Sequence, residues 1–147
     1  MVKDFFNEEN LRQWQKDASK VWGKTNNGII QAIPGSGKTI LGLYLYKKIL
    51  EEKPETKLLI VSPRLLLIGQ WKKIILDSGL FKDEDIYEVS SKTEMHAAGK
   101  AMQKFNECRA FISTFKQIQD FYKKSHDWKK HSWFLIVDEI HNTPKEF

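Results

Sequence analysis

Eight residues constrain this chain more than any other stretch: Ala32 to Thr39, reading A-I-P-G-S-G-K-T. A small residue, four spacers and then Gly-Lys-Thr is the phosphate-loop pattern. Gly35 and Gly37 permit backbone angles closed to other residues, so successive N–H groups turn into one concavity. A helix starting directly behind the loop adds its N-terminal dipole, which favours a bound anion. Lys38 supplies a point charge for the outer phosphates, and Thr39 a hydroxyl for Mg²⁺. The loop also dictates its flanks. A strand is expected to lead in through the run from Ile29–Ile30, after the Asn26–Gly28 turn, and a helix to lead out. Nucleotide is thus expected at Pro34, Gly35, Ser36, Gly37, Lys38 and Thr39.

The rest of the chain repeats that alternation. An opening helix is predicted from Asn7 as cap, with Glu8 and Glu9 in its first turn and Leu11, Trp14, Ala18 and Val21 at helical spacing. The helix behind the loop runs to about Leu50 and is closed by Pro54. "KLLIV" (57–61) is a continuous apolar run, the mark of a strand buried on both faces. Pro63 ends it, and a helix through Leu76 follows. "DIYEV" (85–89) predicts a weaker strand, and Ser91 with Glu94 forms a capping-box pair opening a helix through Phe105. "RAFIS" (109–113) predicts a strand, Phe115, Ile118 and Phe121–Tyr122 a helix, and "WFLIV" (133–137) a last strand. Such regular alternation predicts an α/β fold with a mostly parallel sheet and helices on both faces.

Bulk properties narrow the classes. The chain has 147 residues, 41% of them apolar, which suits a single domain with a real core and argues against disorder. No run reaches the length of a membrane span, and the N-terminus lacks the apolar core of a secretory signal, so the expectation is a cytoplasmic protein with no membrane partner. Cys108 is the one cysteine, which excludes a disulfide framework. The four histidines, His96, His126, His131 and His141, show no metal-ligand spacing. The net charge of +5 is spread over lysine pairs near helix ends, where the macrodipole favours them in any case.

The chemistry is sharpened by "FLIVDEIH". Two carboxylates close an apolar strand at its carboxyl edge, where ligands of open α/β sheets bind. Asp138 is placed to hold Mg²⁺, directly or through water, and Glu139 to polarise the water that attacks a γ-phosphate. A second acid of this kind favours hydrolysis over transfer to a small molecule.

Together these stretches resemble a known family. "AIPGSGKT" and "DEIH" resemble motifs I and II of the superfamily 2 helicases and translocases, near the DEAD/DEAH-box type. "LRQWQKDA" (11–18) resembles the adenine-reading element of the type III restriction, XPB-like and UvsW-like branches. "IVSPRLLLIGQW" (60–71) resembles motif Ia, and "FISTFKQI" (111–118) motif Ib. The resemblance implies a P-loop, RecA-like three-layer αβα domain spanning residues 1–147, with residues 1–27 as its adenine-reading region. It implies ATP and Mg²⁺ as cofactors, Gln15 as the adenine reader with Arg12 in support, and Lys38 and Glu139 as catalytic residues. Thr39 and Asp138 would serve the metal. DNA or RNA would run past Arg64, Gln70, Ser113 and Thr114, with contacts mainly to phosphates.

The family pattern continues beyond motif II with motif III and a second RecA-like domain that supplies arginine fingers. The expectation is therefore an N-terminal fragment whose own turnover is low, in a sheet that lacks its motif III strand between the motif I and motif II strands. The function so implied is the ATP-binding motor domain of a nucleic-acid-dependent ATPase. The alternatives are a non-motor nucleotide-binding module and, less favoured by the motif Ia and Ib stretches, a small-molecule phosphotransferase.

Overall fold

A computed structural model describes residues 7–33, 35–89, 106–124 and 127–139. The chain divides into two compact units at Pro54–Glu55.

The first unit is helical. A 3-10 turn, Glu8–Asn10, precedes α1 (Gln13–Trp22), and α2 (Lys38–Glu52) follows the glycine loop. Asn7 caps the 3-10 turn, its Oδ1 accepting from the Glu9 N–H at 3.1 Å. Tyr44 of α2 donates its hydroxyl to Glu8 Oε1 at 2.8 Å, and Lys48 lies 3.6 Å from the same carboxylate. These contacts pin the turn to α2, while α1 packs on α2 through its own face.

Two sequence expectations are corrected in this unit. The opening helix does not run on from Asn7: Leu11 and Arg12 are extended, and α1 starts only at Gln13. The break lets the Arg12 N–H meet the Gln15 side chain at 2.7 Å, a local bond that competes with helix continuation. Val21, expected on the inner face, is exposed. The second correction concerns the lead-in to the loop. Residues 27–33 form no strand, and Ile29 is 76% exposed. Two adjacent isoleucines do not make a strand without a ladder partner, and the sheet pairs only strands of the second unit.

The second unit is a four-stranded, all-parallel sheet of order β2-β3-β1-β4. Its strands are β1 (Lys57–Ser62), β2 (Ile86–Val89), β3 (Ala110–Thr114) and β4 (Trp133–Val137). Parallel neighbours require crossovers, and α3 (Leu65–Asp77) and α4 (Phe115–Lys124) lie in the β1-to-β2 and β3-to-β4 connections. Both helices pack on the central strands β1 and β3. The apolar run of β1 is buried as its continuous hydrophobicity predicts, with Leu58, Ile60 and Val61 fully inaccessible.

Register holds the unit together: Leu58 faces Ala110 on one side and Phe134 on the other. Phe111 anchors an aromatic cluster, edge-to-face with Tyr87 at 6.1 Å and with Trp133 at 5.4 Å. By contrast β4 is only half-buried, with Leu135 52% exposed, and its one partner among the described residues is β1. Lys57 is buried at the amino end of β1, where its ammonium donates to the carbonyls of Asn106 and Cys108. Among the described residues no helix is long and apolar enough to cross a membrane. The predicted helix opened by Ser91 and Glu94, together with His96, His126 and His141, lies outside the described residues.

Candidate active site

In the first unit the glycine loop takes the shape its sequence anticipates. Gly35 and Gly37 have φ of 75° and 97°, in the region that favours glycine. Gly37 caps α2, accepting from Leu41 N–H at 3.1 Å, so Lys38 and Thr39 are the first two residues of the helix. Lys38 is exposed, Thr39 is half-buried, and Pro34 lies outside the described residues.

Two side chains strap the loop from α1. The Gln15 amide is 3% exposed; its Nε2 donates to the Gly37 carbonyl at 2.9 Å, and its Oε1 accepts from the Arg12 N–H. The Arg12 guanidinium donates to the preceding carbonyl, Ser36 O, at 3.0 Å. Two successive loop carbonyls are thus held on the α1 side. A Cβ at position 37 would come within 2.6 Å of Gln15 Nε2, so the close approach requires glycine there. Around Gly35 a Cβ would meet nothing within 4 Å, so that glycine answers to backbone angle alone.

One observation bears on whether the loop suits a phosphate. Ser36 Oγ is buried and has no hydrogen-bond partner, which is costly unless a polar group arrives there. An unpartnered hydroxyl, a helix N-terminus and an exposed lysine together fit an anionic ligand.

In the second unit the acids stand where β4 ends. The Asp138 N–H donates to Val61 O at 2.9 Å, carrying the β1–β4 ladder one residue beyond Val137. Glu139 then turns the chain with φ of 49°, a left-handed conformation rare for a non-glycine residue and often found at functional sites. The Asp138 carboxylate is held by Trp71 of α3, whose indole N–H donates to Oδ2 at 3.0 Å. A carboxylate and a hydroxyl, Asp138 and Thr39, are hard oxygen donors of the kind Mg²⁺ takes.

The residues expected along a polynucleotide are distributed unevenly. Arg64 and Gln70 are exposed on α3, Arg64 as its N-cap. Thr114 is half-buried and forms a reciprocal, long pair of bonds with Gln117 that opens α4, at 3.4 and 3.5 Å. Ser113 is fully buried, its hydroxyl donating to Thr114 O at 3.0 Å, so its side chain meets no solvent.

Sequence reasoning missed two features here. Trp71 reads only as one of the inward positions of α3, with Ile68 and Ile75. Ser62, at the end of β1, is fully buried with an unpartnered Oγ. The helical period marks Trp71 as inward, but nothing in the sequence names its acceptor.

Residues 8–146 match the family model described as the type III restriction enzyme, res subunit. A putative DNA 3'-5' helicase Rad25 of the archaeon Haloarcula marismortui is 31% identical over 137 residues, covering 91% of this chain and 19% of its own length. The chain therefore spans about a fifth of that curated relative. Among solved structures, the UvsW helicase of bacteriophage T4 superposes with a TM-score of 0.65 at 20% identity, covering 92% of this chain and 45% of its own. A nuclease-deletion mutant of the type ISP restriction-modification enzyme LlaGI, in complex with a DNA substrate mimic, gives 0.64 at 18% identity, covering 90% and 15%. The two structural likenesses establish the fold, that of a helicase RecA-like domain.

Proposed function

Because the chain belongs to the type III restriction enzyme res-subunit family, within the superfamily 2 helicases, we propose that it is the ATP-binding motor domain of a nucleic-acid-dependent ATPase. The observation that carries the reading is the strapped glycine loop, with its unpartnered Ser36 hydroxyl, at the N-terminus of α2.

The loop N–H groups and Lys38 hold the phosphates of ATP; Gln15, the residue expected to read the adenine, has its amide on the Gly37 carbonyl and the Arg12 N–H, and acts on ATP through the loop it straps. Thr39 and Asp138 are the donors for Mg²⁺, which when bound neutralises charge on the β- and γ-phosphates. Glu139 accepts the proton of the attacking water. Arg64 and Gln70, exposed on α3, and Thr114 take phosphates of DNA or RNA, a mode with little sequence preference. In this reading a second RecA-like domain supplies the arginine that stabilises the transition state. In the whole protein, hydrolysis moves the two domains along the polynucleotide. A cytoplasmic location accompanies this role.

The test is ATP hydrolysis by the full-length protein with and without single- or double-stranded DNA and RNA. Stimulation by at least one polynucleotide, abolished in Lys38→Ala and Glu139→Gln, supports the motor. A rate indifferent to every polynucleotide sinks it in favour of a non-motor nucleotide-binding module.

A further inference from the structure

We propose that Trp71 is a positioning residue for the Asp138 carboxylate, and that it ties this acid to the helix carrying Arg64 and Gln70. The inference rests on the assignment of Asp138 to Mg²⁺ and deepens it.

The indole has a single donor, and a buried indole must find an acceptor. Trp71 is 5% exposed, and its acceptor is the Oδ2 of an acid 67 positions away, at 3.0 Å. The Asp138 backbone is fixed separately by Val61 O at 2.9 Å. Main chain and carboxylate are therefore held by two different elements, β1 and α3. With Oδ2 engaged, Oδ1 has no hydrogen bond among the described residues and is the oxygen left for a cation. A ligating carboxylate oriented by an outer hydrogen bond is the usual arrangement of metal sites.

The position on α3 gives the bond its second consequence. Trp71 follows Gln70 directly and lies two turns beyond Arg64, so one helix carries both exposed polar side chains and the buried indole. On the inner face Ile68, Trp71 and Ile75 seat the helix on the central strands. A phosphate that draws on Arg64 or Gln70 and shifts α3 changes the donor geometry at Asp138. No intermediate residue is needed.

The experiment uses the full-length protein with two replacements at position 71. Trp71→Phe removes the N–H and part of the ring. A benzothienylalanine at the same position keeps the shape and puts sulfur in place of the N–H, which covers the case in which the phenylalanine variant does not fold. Calorimetry gives ATP affinity against Mg²⁺ concentration and in EDTA, and hydrolysis is followed with and without polynucleotide. The expected result is a Mg²⁺ midpoint raised on the order of ten-fold. ATP affinity in EDTA stays unchanged, and the polynucleotide stimulation falls. A benzothienylalanine protein with the wild-type midpoint and stimulation overturns the inference. Asp138→Asn separates the two layers of argument. If it raises the midpoint while the benzothienylalanine protein does not, only the role of Trp71 falls. If it leaves the midpoint unchanged, the metal assignment falls and the inference with it.

Discussion

The two units hold their reactive residues by different means. In the first, the glycine loop is fixed by side chains: the Gln15 amide and the Arg12 guanidinium each take one loop carbonyl. In the second, the acids sit at the end of a parallel ladder, and their backbone is positioned by main-chain bonds from β1 to β4. A side-chain strap fails with a single substitution. A ladder yields only when the strands themselves lose their packing. Binding defects are therefore expected from point changes in the first unit, and stability defects from core changes in the second.

The largest expected effect is on the ladder. Phe111 is buried between Tyr87 and Trp133, and Phe111→Ala is expected to destabilise by about 3–5 kcal/mol, read as a lowered denaturation midpoint. A loss below 1 kcal/mol would show that the aromatic cluster does not support the sheet. Gly37→Ala attacks the strap, since the added methyl meets Gln15 Nε2 on a backbone with φ of 97°. ATP affinity is expected to fall ten- to hundred-fold, about 1.4–2.8 kcal/mol, with little change in the melting of the sheet. Gln15→Ala, which leaves the loop its glycines, is expected to weaken ATP on the order of ten-fold, about 1.4 kcal/mol. Unchanged affinity in Gln15→Ala would mean that the loop keeps its shape without the strap.

The smallest effect is a pH dependence. Burial pushes the Lys57 ammonium below its ordinary range, despite the two carbonyls it donates to. Between that lowered folded value and the unfolded value of about 10.4, the unfolded chain binds the proton and the folded chain does not. Stability from this group therefore rises with pH across that window, and its penalty is present in full below it. Lys57→Met is expected to remove the rise. Denaturation midpoints at a series of alkaline pH values, wild type against variant, check the rise and its loss.

Legibility in the sequence follows the same division. β1 is readable because a strand buried on both faces leaves a continuous apolar signature, and "KLLIV" begins where β1 begins; "WFLIV" likewise begins where β4 begins, although β4 is only half-buried. The glycines of the loop were readable because their backbone angles are open to few other residues. The helix start at Gln13 was not, because a side-chain amide outcompetes the helix at Arg12, and propensity does not see that bond. Nor was the exposure of Ile29 and Ile30, since β-branched residues mark a strand only where a partner edge is available. The bond from Trp71 to Asp138 joins positions 67 apart, and no local pattern encodes it.

The proposed function assigns the phosphates of ATP to Lys38 and the Mg²⁺ to Asp138, and each assignment can be tested on its own. The most direct measurement is ATP affinity in Mg²⁺ and in EDTA for the wild type, Lys38→Ala and Asp138→Asn. Mg²⁺ is expected to tighten ATP in the wild type, Lys38→Ala to weaken ATP under both conditions, and Asp138→Asn to remove only the Mg²⁺ increment. Wild-type ATP binding by Asp138→Asn in Mg²⁺ would contradict the metal assignment.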